Sequence, residues 1–210
     1  AMGDIRRVMI SLAETEPLME KLLNYRFDAH SELNDHTVGN LLLVASANMT
    51  GNLSDGITAI SKVLNLKGKV VPFSEDNVTL IGKMSDGSIV EGEHYITESP
   101  KQIDSVFYKD KVKVCDEVIE SIRNSDLIIL SMGSLFTSII PNLLSLDVIK
   151  ELDDSKAKIM YVCNLVTQPG ETDDFKVSDH VNILNSYLGN HKIDIVVANT
   201  GVIDKDIAEK

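Results

Sequence analysis

Three short segments of the sequence are rich in glycine and small polar residues. These residue types can bind a ligand through backbone N–H, hydroxyl and amide groups. Each segment directly follows an apolar run, at residues 131–138, 164–172 and 199–201. The candidate ligand-binding residues within the segments are Gly133, Ser134, Thr137, Ser138, Asn164, Thr167, Gln168, Gly170, Glu171, Thr172 and Asn199.

The residues of these segments suit different parts of an anionic ligand. Gly133 and Ser134 lie at an expected helix start, where free N–H groups can donate hydrogen bonds to a phosphate. Asn164 and Gln168 carry amides that can bind hydroxyl groups or a base. Glu171 could act as a general base or accept a hydroxyl hydrogen bond, but acids in such loops also cap the following helix. Each segment taken alone is more typical of ordinary turns and helix caps, and it is the occurrence of three together that favours a site.

Four further candidates lie near the start of the chain. Asp4 and Arg6 could orient a sugar or a phosphate, although Asp4 is also a suitable N-cap for the first helix. His36 could be an acid, a base or a ligand contact, and Asn40 follows it one helical turn later. The alternative for these two residues is a structural hydrogen bond at a helix start.

The elements that would position the candidates alternate regularly in the second half of the chain. Apolar strands separated by amphipathic helices predict a doubly wound sheet, and the near-continuous apolar strands predict burial on both faces. The carboxyl ends of parallel strands form one ligand crevice, so we expect the three segments to converge there, with Asp4 and His36 on its rim. The expected helices are residues 114–124, 135–144 and 178–188, and the expected strands are 127–131, 158–164 and 193–199.

The first half of the chain has a different pattern. Residues 1–68 read as a helical part of the core domain, and residues 69–108 as a β-hairpin insertion around an Asp-Gly turn. We expect this insertion to contribute little to ligand contacts. Residues 109–210 form the βα repeats. The expected helical segments are 4–13, 16–26, 36–49 and 53–66, with Thr15 as the cap of the second, and the expected insertion strands include 78–84 and 89–96.

Composition excludes several classes of protein. The 210 residues include 20 Lys and Arg against 32 Asp and Glu, a formal net charge of −12, which argues against nucleic-acid binding. No apolar run is long enough for a membrane span and no signal sequence is visible. The two cysteines predict reduced thiols and a cytoplasmic protein. His, Cys and acidic residues lack metal-ligand spacing, so no metal site is predicted. A homo-oligomer remains possible.

Four motifs in order resemble the gluconeogenesis factor family. They are Gly-Asp-Ile-Arg-Arg at residues 3–7, His-Thr-Val-Gly-Asn-Leu at 36–41, Gly-Ser-Leu-Phe-Thr-Ser at 133–138, and Asn-x-x-Thr-Gln-Pro-Gly-Glu-Thr at 164–172. This family is the YvcK-like branch of the CofD-like superfamily, typified by 2-phospho-L-lactate transferase. The resemblance implies a Rossmann-like site that binds sugar nucleotides such as UDP-N-acetylglucosamine, in a cytoplasmic bacterial protein that supports growth and cell shape on gluconeogenic carbon sources.

The sequence departs from the family pattern in two ways. Family members open with a strand and a Gly-Gly-Gly-Thr-Gly loop followed by an Asp-rich segment, and they continue beyond the present C-terminus. This chain is therefore expected to be a fragment that lacks these parts. In addition, the family's Gly-Pro-Gly-Ser loop is Ser-Met-Gly-Ser at residues 131–134, which makes the loop less pre-shaped for phosphate.

Two functions follow from the resemblance. The first is a regulatory protein that binds a UDP-sugar without turnover, which the motifs at residues 3–7 and 36–41 favour. The second is a transferase that moves a phospho-group from a nucleotide diphosphate donor to a hydroxyl, with Mg²⁺ as cofactor. An oxidoreductase is a distant third, because the glycine fingerprint and the ribose-binding acid are missing.

Overall fold

The computed structural model describes residues 2–14, 17–28 and 30–201. Contacts divide the chain into two compact units, Ala1–Asn77 with Lys113–Val118 and Val78–Val112 with Ile119–Lys210. Thr15, the expected cap of the second helix, lies outside the described residues. The same holds for the chain after residue 201.

The first unit contains four helices. Thr37 begins the third, because its Oγ1 accepts a hydrogen bond from the backbone N–H of Asn40 at 3.3 Å, as an N-cap does. The helices are α1 (Met2–Leu12), α2 (Pro17–Asn24), α3 (Val38–Thr50) and α4 (Leu53–Val63). Their apolar faces share one core of buried side chains, made by Met9, Leu23, Leu43, Ile57 and Leu64.

The second unit contains an antiparallel sheet made from the expected insertion. Its strands are β1 (Leu80–Met84), β2 (Ile89–Glu91) and β3 (Ile103–Tyr108), in the order β2-β1-β3. The Asp-Gly turn joins β1 to β2, as predicted, with the Gly87 N–H bonded to the Met84 carbonyl at 2.9 Å. This turn fixes the register of the hairpin.

The expected strand over residues 89–96 is wrong in its second half. Strand β2 stops at Glu91, and helix α5 (Glu93–Glu98) follows. Gly92, between them, has a φ of 99°, a conformation that no strand residue adopts. The chain therefore turns at Gly92, and Ile96 enters the core from a helix instead of a strand.

A parallel sheet lies in the same unit and confirms the predicted α/β class. Its strands are β4 (Leu127–Leu130), β5 (Lys158–Val162) and β6 (Ile195–Val197), in the order β4-β5-β6. In the register of the sheet, Leu127 of β4 lies opposite Lys158 of β5, and Met160 of β5 lies opposite Ile195 of β6. The helices that alternate with the strands are α6 (Asp116–Arg123), α7 (Leu146–Asp154) and α8 (Val177–Tyr187).

The expected burial of all three parallel strands on both faces is wrong. Only β5 is central, and its Ile159 and Tyr161 are completely buried. The outer strands are partly exposed: Ile129 in β4 and Val197 in β6 are about half exposed, at 52% and 45%. An edge strand has a neighbour on one side only, so its apolar composition does not by itself guarantee burial.

The expected helix over residues 135–144 is also wrong in detail. The segment is a π-helical turn, Leu135–Ile139, followed by a 3₁₀ turn, Ile140–Leu143. Pro141 has no N–H to donate, and in an α-helix its ring would clash with the carbonyl group four residues earlier.

Among the described residues, no helix is both long enough and apolar enough to cross a membrane.

Candidate functional site

The three segments follow the carboxyl ends of β4, β5 and β6, which run parallel. The first two segments meet directly, because Asn164 Nδ2 donates a hydrogen bond to the Gly133 carbonyl at 2.9 Å. Asn164 and Asn199 line the same cavity, of about 390 Å³. The second and third segments thus share one cavity, and the first adjoins them through the bond from Asn164. That all three line a single ligand crevice stays a prediction. We call this region the strand-end site.

The first segment is held by its own hydroxyl groups. Ser134 Oγ accepts from the backbone N–H of Thr137 at 3.2 Å and lies 2.5 Å from Thr137 Oγ1. The N–H groups of Gly133 and Ser134 have no acceptor among the described residues. They remain available to an anion, at the start of a five-residue π turn whose N-cap is Ser134, where the sequence predicted the start of a longer helix.

Glu171 joins the second segment to the first. Its Oε1 accepts from Ser134 Oγ at 2.5 Å and from the backbone N–H of Phe136 at 2.7 Å, and only 6% of the residue is exposed. The carboxylate therefore supplies the buried N–H of Phe136 with an acceptor. Glu171 is thus a hydroxyl acceptor, but the hydroxyl belongs to Ser134, and the backbone N–H that it accepts from lies in the preceding turn and not in the following helix.

The second segment is a tight loop built by its own polar groups. Thr172 is completely buried, and its Oγ1 accepts from the Gln168 N–H at 2.8 Å. Gly170 has a φ of 77° and its N–H donates to Asp173 Oδ2 at 2.7 Å. A Cβ at position 170 would lie 2.6 Å from the Ser99 carbonyl oxygen, so this loop also packs against the segment that precedes β3.

Two amide oxygens in the second segment lack partners. Asn164 Oδ1 and Gln168 Oε1 are buried and accept no hydrogen bond within the described residues. Buried polar atoms normally have partners, and Asn164 lines the cavity, so its unpartnered oxygen points to an outside donor such as a ligand hydroxyl or N–H. Gln168 belongs to the same segment but is not part of the cavity lining. Thr167 is exposed at the rim of the same cavity.

The cavity contains one residue that the sequence motifs did not indicate. His180 lines it while exposing only 3% of its surface. Its Nδ1 lies 3.0 Å from the Tyr161 hydroxyl, and burial lowers the pKa of the imidazole, with the charge of Asp179 acting the other way. A lone histidine inside a helix has no sequence signal. Only the inward register of Tyr161 in β5 and the position of α8 bring the two together.

The four candidates near the start of the chain lie in the first unit. Arg6 is buried and its Nη1 donates to Asn24 Oδ1. Burial, followed by the charges of Arg7 and Arg26, lowers the pKa of Arg6. Asp4 lies in the first turn of α1, 3.6 Å from Arg7.

His36 is exposed and precedes the N-cap of α3. Asn40 has a buried Oδ1 that accepts no bond from the described residues. The placement of Asp4 and His36 on the rim of the strand-end site stays a prediction.

A second cavity, of about 610 Å³, lies in the first unit, beside α4. It contains no candidate residue, and two of its lysines, Lys67 and Lys69, are paired with Glu14 and Glu117. Volume alone does not indicate a ligand, whereas unpartnered buried polar atoms do. The described residues also contain no group of three His, Cys, Asp or Glu side chains that could hold a metal ion.

Comparisons with known proteins point to one family. The family model described as "2-phospho-L-lactate transferase CofD" matches residues 1–210. The "Gluconeogenesis factor" of Bacillus subtilis is 42% identical over 209 residues, covering 99% of this chain and 66% of the relative. The corresponding protein of Halalkalibacterium halodurans is 40% identical over 209 residues, covering 65% of its length.

A solved structure is also similar. The crystal structure of protein BH3568 from Bacillus halodurans matches with a TM-score of 0.91 and 39% identity, over 99% of this chain and 68% of that one. The present chain therefore spans about two thirds of the length of the relatives it matches, since the first two are covered to 66% and 65%.

Proposed function

We propose that the strand-end site binds a UDP-sugar and that this binding is regulatory. The chain belongs to the 2-phospho-L-lactate transferase CofD family and is similar over nearly its whole length to gluconeogenesis factors. The observation that supports the proposal is the buried, unpartnered Oδ1 of Asn164, a residue that lines a cavity of about 390 Å³. Gln168 Oε1, in the same segment, is also buried without a partner among the described residues. A cavity of this size suits part of a small ligand.

The site offers different chemistry to the different parts of such a ligand. The free N–H groups of Gly133 and Ser134 suit the diphosphate, because backbone donors bind anions without a compensating side chain. The amides of Asn164 and Gln168 suit ribose, base or sugar hydroxyls. No nucleophile or general base is needed for this function, and the buried Glu171 is already engaged with the first segment.

A transferase is the second candidate, and the description of the matching family model favours it. Such an enzyme would use Mg²⁺ to neutralise the charge on the transferred group. The described residues do not provide a set of carboxylates that fits this ion.

By the role that the family resemblance implies, the protein would support growth and cell shape on gluconeogenic carbon sources in the bacterial cytoplasm.

Calorimetry on the full-length protein with UDP-N-acetylglucosamine tests the proposal. We expect the natural protein to bind this compound. Gln168→Ala should lower the binding free energy by about 1–3 kcal/mol, because removal of the amide would leave ligand groups without a hydrogen-bond partner. Asn164→Ala should cost at least as much, since it also removes the bond to Gly133. A bulky residue at Ser134 should weaken binding as well. Asn124→Ala, which changes an exposed helical amide, is the matched control.

A product assay with Mg²⁺ separates the two functions. Steady release of UDP or transfer of a phospho-group would favour the transferase. Binding of the intact sugar nucleotide without turnover supports the regulatory function. Absence of heat with every nucleotide and sugar nucleotide would exclude both.

A further inference from the structure

His180 occupies an unusual position in the strand-end site. Its ring lies nearly parallel to that of Tyr161, at an interplanar angle of 24° with centroids 6.2 Å apart, while Phe175 packs edge-on at 5.5 Å. Three sides of the imidazole are thus held by the protein. Nε2 has no hydrogen-bond partner among the described residues, although the residue borders the cavity.

The surroundings of Tyr161 determine which nitrogen of His180 carries the proton. Burial raises the pKa of Tyr161, a hydrogen bond with the Cys163 side chain raises it further, and the backbone N–H of Asn164 acts the other way, so the phenol keeps its proton. The N–H of Asn164 occupies the accepting side of the hydroxyl. Its proton is then directed at His180 Nδ1, a much better acceptor than sulfur. We therefore assign Nδ1 as the acceptor of this bond and Nε2 as the nitrogen that carries the N–H.

We propose that His180 is a ligand-binding residue whose Nε2–H donates a hydrogen bond to an acceptor atom on the nucleobase of a bound nucleotide. This inference rests on the proposed function. It adds His180 to the ligand-binding residues and divides the site into two parts. The cavity that Asn164 and Asn199 line binds the base, and the N–H groups of Gly133 and Ser134 bind the phosphates.

The walls of the cavity favour a base over a phosphate. Apolar side chains make up much of the lining, including Leu165, Val166, Val177 and Phe175. A phosphate placed against these side chains and His180 would lose hydration without gaining a cation from the imidazole, which burial keeps neutral. The cation of this lining is Lys176, an exposed residue at the start of α8. A planar base has two apolar faces and a polar edge, so it can contact the apolar walls while its edge accepts from Nε2–H.

Nuclear magnetic resonance of ¹⁵N-labelled histidines in the full-length protein tests the tautomer and the contact together. We expect the free protein to show His180 as a neutral Nε2–H imidazole. Addition of UDP should shift the Nε2 signal, whereas inorganic pyrophosphate, which has no base, should leave it in place. A neutral Nδ1–H form, or an equal shift with pyrophosphate, would overturn the proposal.

Calorimetry with UDP gives an independent measurement. His180→Phe keeps an aromatic ring but removes the donor, and should weaken UDP binding roughly tenfold, which corresponds to about 1.4 kcal/mol. Tyr161→Phe releases the constraint on the tautomer and should weaken it by a smaller factor. His94→Gln, at an exposed histidine, is the control and should bind UDP as the natural protein does.

The outcomes distinguish the two proposals. If the natural protein binds UDP-N-acetylglucosamine and UDP while His180→Phe binds UDP equally well, the base-contact proposal fails and the proposed function stands. If the natural protein binds neither compound, both fail. If His180→Phe does not fold, Tyr161→Phe and the resonance measurement on the natural protein decide the question.

Discussion

Glu171 is a buried carboxylate with two identified partners, the Ser134 hydroxyl and the Phe136 N–H, both in the preceding strand-end loop. These bonds join residues more than 30 positions apart and keep the first two segments of the site together. A general base for a ligand would need a free oxygen lone pair directed at the substrate. The observed bonds instead favour a structural role, which stability measurements can separate from a binding role.

We expect Glu171→Ala to lower the free energy of unfolding by about 2–4 kcal/mol, because it leaves the buried Phe136 N–H without an acceptor. Glu171→Gln keeps one acceptor oxygen and should cost only about 1 kcal/mol. Urea unfolding of both variants is the measurement. If both variants are as stable as the natural protein and lose only ligand affinity, Glu171 is a ligand residue and the structural role is wrong.

Gly170 combines a positive φ with a close backbone neighbour. A Cβ at this position would lie 2.6 Å from the Ser99 carbonyl oxygen, and the φ of 77° disfavours any L side chain. We expect Gly170→Ala to destabilise the protein by about 2–4 kcal/mol. Gly51→Ala, where φ is 96° but no atom lies within 4 Å of the new Cβ, isolates the backbone contribution and should cost about 1 kcal/mol. Equal losses in urea unfolding would contradict the contact with Ser99.

At the level of elements, α4 begins with an unusual carboxylate contact. Glu75 accepts hydrogen bonds from the Leu53 N–H at 2.9 Å and from the Ser54 N–H at 2.7 Å. Asn52 is the N-cap of the same helix. The negative charge therefore sits at the positive end of the helix dipole, where it stabilises the helix.

This contact predicts a pH dependence. Desolvation acts to raise the pKa of Glu75, but the bonds from the Ser54 side chain and the Leu53 and Ser54 N–H groups outweigh it, and the pKa is lowered from 4.5. The folded state therefore binds this proton more weakly than the unfolded state does. The stabilisation is complete above the unfolded pKa and is lost as the pH falls through the lowered folded pKa.

We expect the natural protein to lose more stability than Glu75→Gln as the pH falls from about 5 to about 3, because only the natural protein loses this carboxylate–helix attraction on protonation. Urea unfolding at several pH values measures the difference. Glu32→Gln makes the same substitution at an exposed position and is the control. A pH dependence for Glu75→Gln as steep as that of the natural protein would argue against the helix contact.

For the whole molecule, charge limits the range of ligands. The net charge of −12 repels polyanions at distances beyond single contacts, whereas backbone N–H groups can still bind a small anion locally. A sugar nucleotide is therefore compatible with an acidic protein, and a nucleic acid, which needs many cationic contacts, is not.

We expect no saturable binding of a labelled 20-nucleotide DNA or RNA at about 0.15 M salt with a dissociation constant tighter than about 10⁻⁴ M. Fluorescence anisotropy measures this. UDP-N-acetylglucosamine in the same buffer is the positive comparison. Binding of the oligonucleotide that weakens steeply with added salt would be the signature of phosphate contacts, and would refute this expectation.

The order of the elements could be predicted from the sequence alone. Apolar runs of four or five residues located β4 and β5, and helical periodicity located α6 and α8, to within a few residues. The helix between β4 and β5, α7, was not predicted, because the helical pattern was assigned to residues 135–144 instead. The position of the site at the strand ends followed from topology, because parallel strands place their carboxyl ends on one edge. The family motifs at residues 133–138 and 164–172 lie in those loops, and these are local features that neighbouring residues encode.

The tertiary structure alone decided which groups are buried and which are bonded. Apolar composition could not show that β6 lies at an exposed edge, since exposure depends on neighbours distant in sequence. The bonds of Glu171 to Ser134 and of Tyr161 to His180 join separate elements, so no periodicity or spacing signals them. Hydrogen bonding at a site depends on atomic positions within a few tenths of an ångström, and only the packing of complete elements fixes positions that closely.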